Sequence, residues 1–307
     1  MFKYIFKRVL FALLTIFIVS TLTFSVMFLI PGGPFLAEKA PSAATLEALN
    51  KKYGLDQPKP VQYRNYIARL MRGDMGVSLK QRGRTVNEII AAGFPVSARL
   101  GGMAVLLALF AGVAFGSVAA YKRGKTLDNL IMIFVTMGIS VPGFVVSTVL
   151  LIIFGVKLKI LPTLGLETPK HYILPVLALS LYPMAYISRL CRSSMLDVLG
   201  QDYMRTARAK GLSSFRCLFK HALRNAILPV VTYLGPMLAY IMTGSFVIEK
   251  VFTIPGVGNA FITSTLSRDY PLIMGTTIFL AALIITMNVV VDILYKVIDP
   301  RIKLGAK

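Results

Sequence analysis

Few residues in this 307-residue sequence could carry out covalent or metal chemistry. Gly124, Lys125 and Thr126 have the ending of a phosphate-binding loop, but Ala119 stands where that loop requires a glycine. The motifs H-E-x-x-H and G-x-S-x-G do not occur, and the two histidines are far apart in the sequence. The sequence therefore predicts no catalytic centre, no metal site and no cofactor bound by this chain, and no hydrolysis of ATP by it.

Neutral polar side chains inside apolar stretches are the better candidates for contact with a solute. The predicted set is Ser140, Tyr182, Tyr186, Tyr233, Tyr240, Thr243 and Ser245. Such hydroxyl groups fit a wide path for a polar solute of variable structure, and hydrogen bonding between helices is the alternative for each of them. Acidic residues at the flanks of these stretches, such as Asp128, Glu249 and Asp292, are fewer than an ion-coupled transporter usually needs.

The composition places these side chains in a membrane protein. The chain is 56% hydrophobic and 15% charged, against about 45–50% and about 25% in soluble domains. Six stretches lack Asp, Glu, Lys and Arg and approach or exceed the roughly 20 residues that cross a bilayer. They are residues 9–30, 100–121, 129–156, 171–188, 225–248 and 270–291. Because barrel strands would be about half as long, the sequence predicts an all-α polytopic protein with six transmembrane helices.

Basic residues predict the orientation in the bilayer. The formal net charge is +21, which would suggest a nucleic-acid partner, but the hydropathy contradicts this because cytoplasmic loops also collect Lys and Arg. Residues 189–225, called the basic loop below, carry eight basic residues against Asp197 and Asp202. We therefore expect both termini to be cytoplasmic. Residues 31–98 also carry basic residues, but the excess of Lys and Arg on the cytoplasmic side applies to loops of up to about 60 residues, so we expect this longer segment to be external.

The predicted organisation has four parts. Residues 1–30 form the cytoplasmic N-terminus and the first transmembrane helix, and the long apolar run favours an uncleaved anchor over a cleaved signal. Residues 31–98 form an external helical segment. Residues 99–298 form the membrane core with the cytoplasmic basic loop, and residues 299–307 form a cytoplasmic tail.

Local patterns predict helices in the external segment and a close helix contact in the core. Tyr63, Tyr66, Ile67, Leu70 and Met71 share one helical face. This face packs either on neighbouring helices or on an external partner. Val86, Ile89 and Ile90 indicate a third short helix in this segment. Gly112 and Gly116 form a G-x-x-x-G pattern, which is typical of close helix packing.

The basic loop is predicted to fold as two helices joined at a glycine. Asp202 suits the start of the first helix, Gly211 suits the position after its end, and Ser213 can cap the second helix. From this pattern alone, a solvated amphipathic loop on anionic lipid and a plug for a cytoplasmic partner remain equally open.

Motifs along the whole chain resemble the membrane permeases of ABC importers, in the dipeptide/oligopeptide/nickel branch. Within that branch the chain is most similar to the first membrane subunit of the oligopeptide permease. The motifs are YGLDQP at 53–58, GDMG at 73–76, FPVS at 94–97, RTARAKGL at 205–212, HALRN at 221–225, MTGSFVIE at 242–249, IPGVG at 254–258 and RDY at 268–270. One departure is that Arg205, Thr206 and Ala207 replace the Glu-Ala-Ala of the general importer pattern, and Pro229 comes five residues late.

The resemblance implies a type I importer permease fold and a set of contacts. Seven residues would contact an ATPase subunit: Arg205, Thr206, Ala207, Arg208, Lys210, Gly211 and Leu212. An external gate or docking turn would contain Pro255, Gly256 and Gly258. The implied partners are a second, homologous permease in a heterodimer, two ATP-binding subunits that hold ATP and Mg²⁺, an external peptide-binding protein and the lipid bilayer, with no nucleic acid.

The implied function is a pore-forming permease subunit for oligopeptides in the bacterial cytoplasmic (inner) membrane. The alternatives are a permease for dipeptides, nickel or another small solute, a membrane-embedded enzyme, and an ATP-independent channel. An enzyme would need converging acids or a nucleophile, and the scarcity of buried charge disfavours it.

Overall fold

A computed structural model of the chain describes residues 2–29, 34–35 and 43–298. The helices are α1 (Phe2–Leu29), α2 (Ala43–Tyr53), α3 (Lys59–Met71), α4 (Val86–Tyr121), α5 (Thr126–Ser140), α6 (Gly143–Leu150), α7 (Ile173–Leu199), α8 (Asp202–Ala209), α9 (Ser214–Arg216), α10 (Leu223–Ala226), α11 (Leu228–Val251), α12 (Val257–Ser267) and α13 (Tyr270–Ile298). Among the described residues the only β pairing is an isolated bridge between Val77 and Thr85. The predicted tail 299–307 lies outside these residues.

Within the described residues, the six predicted apolar stretches are helical, but two of them are bent. Four helices are long and apolar enough to cross a membrane, in α1, α4, α7 and α13. Two further candidates are bent pairs, so the total reaches six when each pair counts as one span. This confirms an all-α fold with six apolar segments at the predicted places.

The third predicted stretch, 129–156, is not one continuous helix. Its two parts, Thr126–Ser140 and Gly143–Lys157, meet at 108°. The break falls at Val141 and Pro142, where proline lacks an amide hydrogen and its ring disfavours helical dihedrals in the preceding residue. Val141 accordingly has extended dihedrals, with φ −89° and ψ 124°.

The second predicted stretch starts earlier than expected. Val86, Ile89 and Ile90 do not form a separate short helix, because they are the first turns of α4, which continues through Pro95 to Tyr121. At 1.5 Å per residue, its 36 residues are about 54 Å long and exceed the roughly 30 Å hydrocarbon core. The predicted boundary between residues 98 and 99 therefore lies inside a continuous helix.

The chain divides into two compact units. The first contains the residues up to Val96 together with Pro255–Val289. In it, Phe24 of α1, Tyr66 of α3 and Ile278 of α13 form a buried cluster, and Tyr63, Ile67 and Leu70 pack against it. The expected packing of the α3 face on neighbouring helices is confirmed for these residues. It is wrong for Met71, which is 79% exposed.

The second unit contains Ser97–Ile254 and holds α5, α6, α7 and α11. In it, α4 lies against α7 at the two glycines of the G-x-x-x-G pattern. A Cβ atom on Gly112 would lie 2.8 Å from the Cβ of Ile187, and one on Gly116 would lie 2.6 Å from the carbonyl oxygen of Ser188. The predicted close packing is confirmed, because only glycine allows the two backbones to approach this closely.

Gly116→Ala is expected to destabilise the second unit by about 1–3 kcal/mol, because the added methyl group must displace backbone and side-chain atoms of α7. The matched control is Gly102→Ala in the same helix, where an added Cβ has no neighbour within 4 Å. That control should leave the stability unchanged or slightly raised. Thermal unfolding of both variants in detergent measures the difference, and equal midpoints would contradict the close contact.

Candidate functional site

Four of the predicted path residues form a tyrosine cluster between α7 and α11. The rings of Tyr186 and Tyr233 stack with centroids 4.2 Å apart, and those of Tyr182 and Tyr240 lie 4.8 Å apart. The two residues of α7 are one helical turn apart and those of α11 two turns apart, so each pair lies along one side of its helix. Tyr186 and Tyr240 are each 38% exposed in the single chain. The cluster is therefore partly accessible at the surface of the second unit in the single chain.

The other three predicted path residues lie apart from this cluster or outside the described side chains. Ser140 is exposed and is the last residue of α5, directly before the 108° break. Ser245 lies on α11 but is buried, so its hydroxyl does not reach the surface of the single chain. The side chain of Thr243 lies outside the described part of the structure.

The basic loop folds as the predicted pair of helices. Its first eleven residues continue α7, which ends at Leu199. After α8, Gly211 has φ +76°, a left-handed conformation that glycine adopts without strain. Ser213 caps α9 by accepting a hydrogen bond from the amide of Arg216 (3.4 Å). The chain then continues through a π-helical turn, Cys217–Ala222, into α10.

The loop has a buried inner face and an exposed outer face. Met204, Ala207, Cys217 and Leu218 are buried within it. The amide of Asn225 donates a hydrogen bond to the hydroxyl of Tyr203 (2.8 Å), which joins the two arms. Ala207 therefore packs inside the loop, whereas small residues near the glycine were expected to contact a partner.

The outer face of the basic loop combines basic groups with an aromatic pair. Arg205, Thr206 and Lys210 are exposed, and Arg205 lies 3.4 Å from Asp202 in a surface ion pair. Phe215 and Phe219 are 70% and 43% exposed, and their ring centroids lie 4.5 Å apart. Leu212 is half-buried, and the side chain of Arg208 lies outside the described part. Sequence reasoning missed the aromatic pair, although its spacing of four residues on a helix was a usable signal.

The predicted gate residues form a tight turn between α11 and α12. Thr253 has φ +53°, Pro255 is exposed, and Gly256 and Gly258 are buried. In the first unit, Gly93 of α4 lies against this turn, and a Cβ there would be 3.0 Å from the backbone nitrogen of Val257. The turn is thus held by a backbone-to-backbone contact, which explains why glycine occupies position 93.

Two motifs that lie about 190 residues apart in the sequence meet at Asp269. This carboxylate is buried, and it accepts hydrogen bonds from the Ser78 hydroxyl and from the amides of Leu79 (3.1 Å) and Lys80 (3.3 Å). It thereby ties the turn at 77–85 to the junction of α12 and α13. A carboxylate with several donors of this kind is well satisfied despite its burial.

Asp269→Ala is expected to release the turn at 77–85, because the three donors lose their acceptor. At about 1–3 kcal/mol for unsatisfied donors, the amides there should exchange with solvent roughly 10- to 100-fold faster. Hydrogen–deuterium exchange of the detergent-solubilised chain measures this, with the exposed Asp56→Ala as the control. Unchanged protection of residues 77–85 would show that the carboxylate does not hold the turn.

Charged groups in the second unit are also paired. The carboxylate of Asp128 on α5 binds Arg192 on α7 through two contacts, Nε–Oδ1 at 2.7 Å and Nη2–Oδ2 at 2.8 Å. It also accepts a hydrogen bond from the amide of Gly124 (2.9 Å). Glu249 is fully buried on α11 and accepts a hydrogen bond from the Ser97 hydroxyl (2.7 Å). Both carboxylates therefore join helices of the second unit.

Comparison with known families accounts for nearly the whole chain. Residues 112–304 match the family model described as the binding-protein-dependent transport system inner membrane component. Residues 1–101 match the N-terminal model of such membrane components.

The chain belongs to this family of inner membrane components.

Two relatives align with the chain from end to end. The dipeptide transport system permease protein DppB of Bacillus subtilis is 46% identical over 307 residues, which is 100% of both chains. The oligopeptide transport system permease protein OppB of Haemophilus influenzae is 45% identical over 305 residues, covering 99% of this chain and 100% of the relative. Membership confirms that this is an inner-membrane permease component, and the resemblance seen in the motifs is borne out.

Solved structures confirm the fold at lower identity. An inward-facing MetNI methionine ABC transporter matches 68% of this chain and 96% of its own with a TM-score of 0.55 and 15% identity. An amino acid ABC transporter solved with histidines matches 70% of this chain and 95% of its own with a TM-score of 0.52 and 17% identity. The permease fold of ABC importers is therefore present in this chain.

Proposed function

We propose that this chain is the pore-forming permease subunit of an ATP-driven importer for oligopeptides. The observation that carries the proposal is the tyrosine cluster between α7 and α11, in a chain that aligns from end to end with oligopeptide and dipeptide permeases. Peptides share backbone amides and a carboxylate but differ in their side chains. Aromatic faces and hydroxyl groups can contact such solutes without selecting particular side chains.

The outer face of the basic loop is the proposed contact with an ATPase subunit. An exposed aromatic pair rimmed by basic groups has the composition of a protein interface, in which aromatic side chains and arginine are enriched. Phe215 and Phe219 would enter an apolar cleft of the partner, and Arg205 and Lys210 would meet its acidic rim. Movement of the ATPase subunits would then be transmitted through α8 and α10 to α11.

The proposed assembly contains further chains. A second, homologous permease would complete the pore, two subunits would bind ATP and Mg²⁺, and an external protein would deliver the peptide. The turn at Pro255 and Gly256 would lie on the delivery side, and both termini and the basic loop on the cytoplasmic side. This chain contributes the path and the coupling surface, while the chemistry of ATP hydrolysis lies in the partner subunits.

A pull-down from native membranes tests the assembly. The tagged chain is purified in a gentle detergent and its partners are identified by mass spectrometry. We expect a second multi-span permease and one or two P-loop ATPases. Recovery of the chain alone after cross-linking would contradict the importer and favour an ATP-independent channel or a membrane enzyme.

Competition for uptake tests the solute. Uptake of a labelled tetrapeptide and, separately, of a labelled dipeptide is measured in cells that depend on this permease, with unlabelled tri- and pentapeptides and a nickel chelate as competitors. Tetrapeptide uptake that tri- and pentapeptides inhibit supports the oligopeptide assignment. Uptake of the dipeptide alone favours the dipeptide alternative, and inhibition by the nickel chelate favours the nickel alternative.

Tyr233→Ala should reduce uptake more than Tyr233→Phe, which keeps the stacked ring.

A further inference from the structure

A cavity of about 960 Å³ lies within the first unit, beside the turn at 77–85 that Asp269 holds. Its walls come from α1, α2, α3, the segment 72–83 and the first turns of α13. This volume is at the upper end of the range of about 300–1,000 Å³ that is typical of small-molecule sites. None of the predicted path, coupling or gate residues lines it.

The floor of the cavity is formed by the ends of two candidate membrane spans. Phe24, Met27 and Phe28 are in the last two turns of α1, and Tyr270 and Met274 are in the first two turns of α13. Only 11% of the apolar window of α1 is buried inside the chain, so this helix is largely open to its surroundings. The cavity is therefore placed where the hydrocarbon core of a bilayer gives way to the headgroups.

The lining of the cavity also contains four basic side chains. Lys51 and Lys52 lie in the last turn of α2, and Arg69 and Arg72 are at the end of α3, while Asp74 is the one acidic side chain among the lining residues. Within the described part of the chain, none of the four basic side chains forms a salt bridge. The carboxylate of Asp74 already accepts a hydrogen bond from the amide of Gly76 (2.8 Å).

We propose that this cavity binds the headgroup of an anionic phospholipid, with its acyl chains lying along α1. Lysine and arginine side chains bind phosphate through charge-assisted hydrogen bonds, and guanidinium groups do so with two parallel bonds. The aromatic and methionine side chains of the floor match the glycerol and upper acyl region of the same molecule. The complementarity is thus both electrostatic and apolar.

The amphipathic lining favours a lipid over a soluble anion or an acidic protein. A free anion uses only the basic side chains and leaves the apolar floor in contact with water. A protein partner would have to reach the ends of membrane spans at headgroup depth. Lysine and arginine side chains at headgroup depth attract anionic lipid headgroups, and four such side chains line this cavity.

Native mass spectrometry of the full chain in detergent tests the site. The chain is titrated with phosphatidylglycerol and, separately, with phosphatidylcholine, and inorganic phosphate is added as a competitor. The test variant is Arg69→Gln/Arg72→Gln. The matched control is Arg64→Gln/Arg82→Gln, which removes the same charge from exposed positions that do not line the cavity. Thermal unfolding of both variants checks that they remain folded.

We expect phosphatidylglycerol to bind at least tenfold more tightly than phosphatidylcholine. The cavity variant should lose at least tenfold in affinity for phosphatidylglycerol, while the control variant keeps it, and millimolar phosphate should not displace the lipid. Equal binding of the two lipids would overturn the proposal. So would an equal loss in both variants, or displacement of the lipid by phosphate. Should Arg69→Gln/Arg72→Gln fail to fold, Lys51→Gln/Lys52→Gln on α2 replaces it with the same expected result.

Discussion

Gly211→Asp is expected to abolish peptide uptake while the chain still inserts in the membrane. The left-handed conformation at this residue, φ +76°, is tolerated by Asp better than by most residues, and an added Cβ has no neighbour within 4 Å. The fold of the basic loop should therefore survive. The new carboxylate lies beside Lys210 on the proposed contact with the ATPase subunit, where it places negative charge against an acidic rim. Uptake should fall at least tenfold, and peptide-stimulated ATP hydrolysis of the reconstituted importer should fall with it.

The space around Gly211 is consistent with the physical reason for this prediction. The chain itself leaves this position open, so any crowding of an added side chain must come from the partner. Gly211→Asn has nearly the same shape without the charge and should retain measurable uptake. Gly165→Asp introduces the same charge at another open glycine with φ +82° and should behave like the wild type. Normal ATP-dependent uptake by Gly211→Asp would refute the location of the coupling site.

Arg192→Met is expected to be the most destabilising single substitution considered. It leaves the carboxylate of Asp128, whose side chain is 3% exposed, without its cationic partner in the second unit. Breaking a buried ion pair in this way costs about 3–5 kcal/mol. Asp128→Asn should cost less, because the side chain of Arg192 is 25% exposed and water can reach it. The double variant Asp128→Asn/Arg192→Met should recover much of the loss, since Asn can accept from Gly124.

The two buried free thiols provide the measurement for this series. Cys191 and Cys217 are both buried, so a thiol-reactive fluorescent dye reports thermal unfolding in detergent. We expect the order wild type, double variant, Asp128→Asn and then Arg192→Met from the highest midpoint to the lowest. A double variant no more stable than Arg192→Met alone would show that an unpaired carboxylate is not the cause.

The apolar segments and the basic loop were predictable because local sequence determines them. Bilayer thickness sets a length that six stretches of the sequence match, and the conformational freedom of Gly211 with the capping group of Ser213 fixes the two helices of the basic loop. The break at Val141 was missed because a run of apolar residues hid the effect of Pro142. The continuity of α4 was missed because the charged residue Arg99 ends the charge-free run, whereas the helix extends past it and includes Pro95.

The hydrogen-bonded and ionic pairs that join distant segments of the chain were not predictable from one sequence. Asp269 and Ser78, Glu249 and Ser97, and Asp128 and Arg192 are each separated by at least 64 residues. Nothing in the local pattern says which donor meets which carboxylate, because the pairing depends on how the helices pack. The tyrosine cluster was partly predictable. Its members were predicted individually as path residues, but only the structure shows that their rings stack.

The 108° break between α5 and α6 also determines which side of this helix pair avoids the lipid. Where an apolar helix is interrupted at a proline, backbone carbonyl groups lose their amide partners, and hydrocarbon offers no replacement. Such a position is tolerated only where protein or water covers it. Ser140 at the break is exposed in the single chain, so this corner must be hydrated or be covered by another subunit. The bilayer therefore restricts the rotation of the helix pair, because the corner at Ser140 cannot face the hydrocarbon.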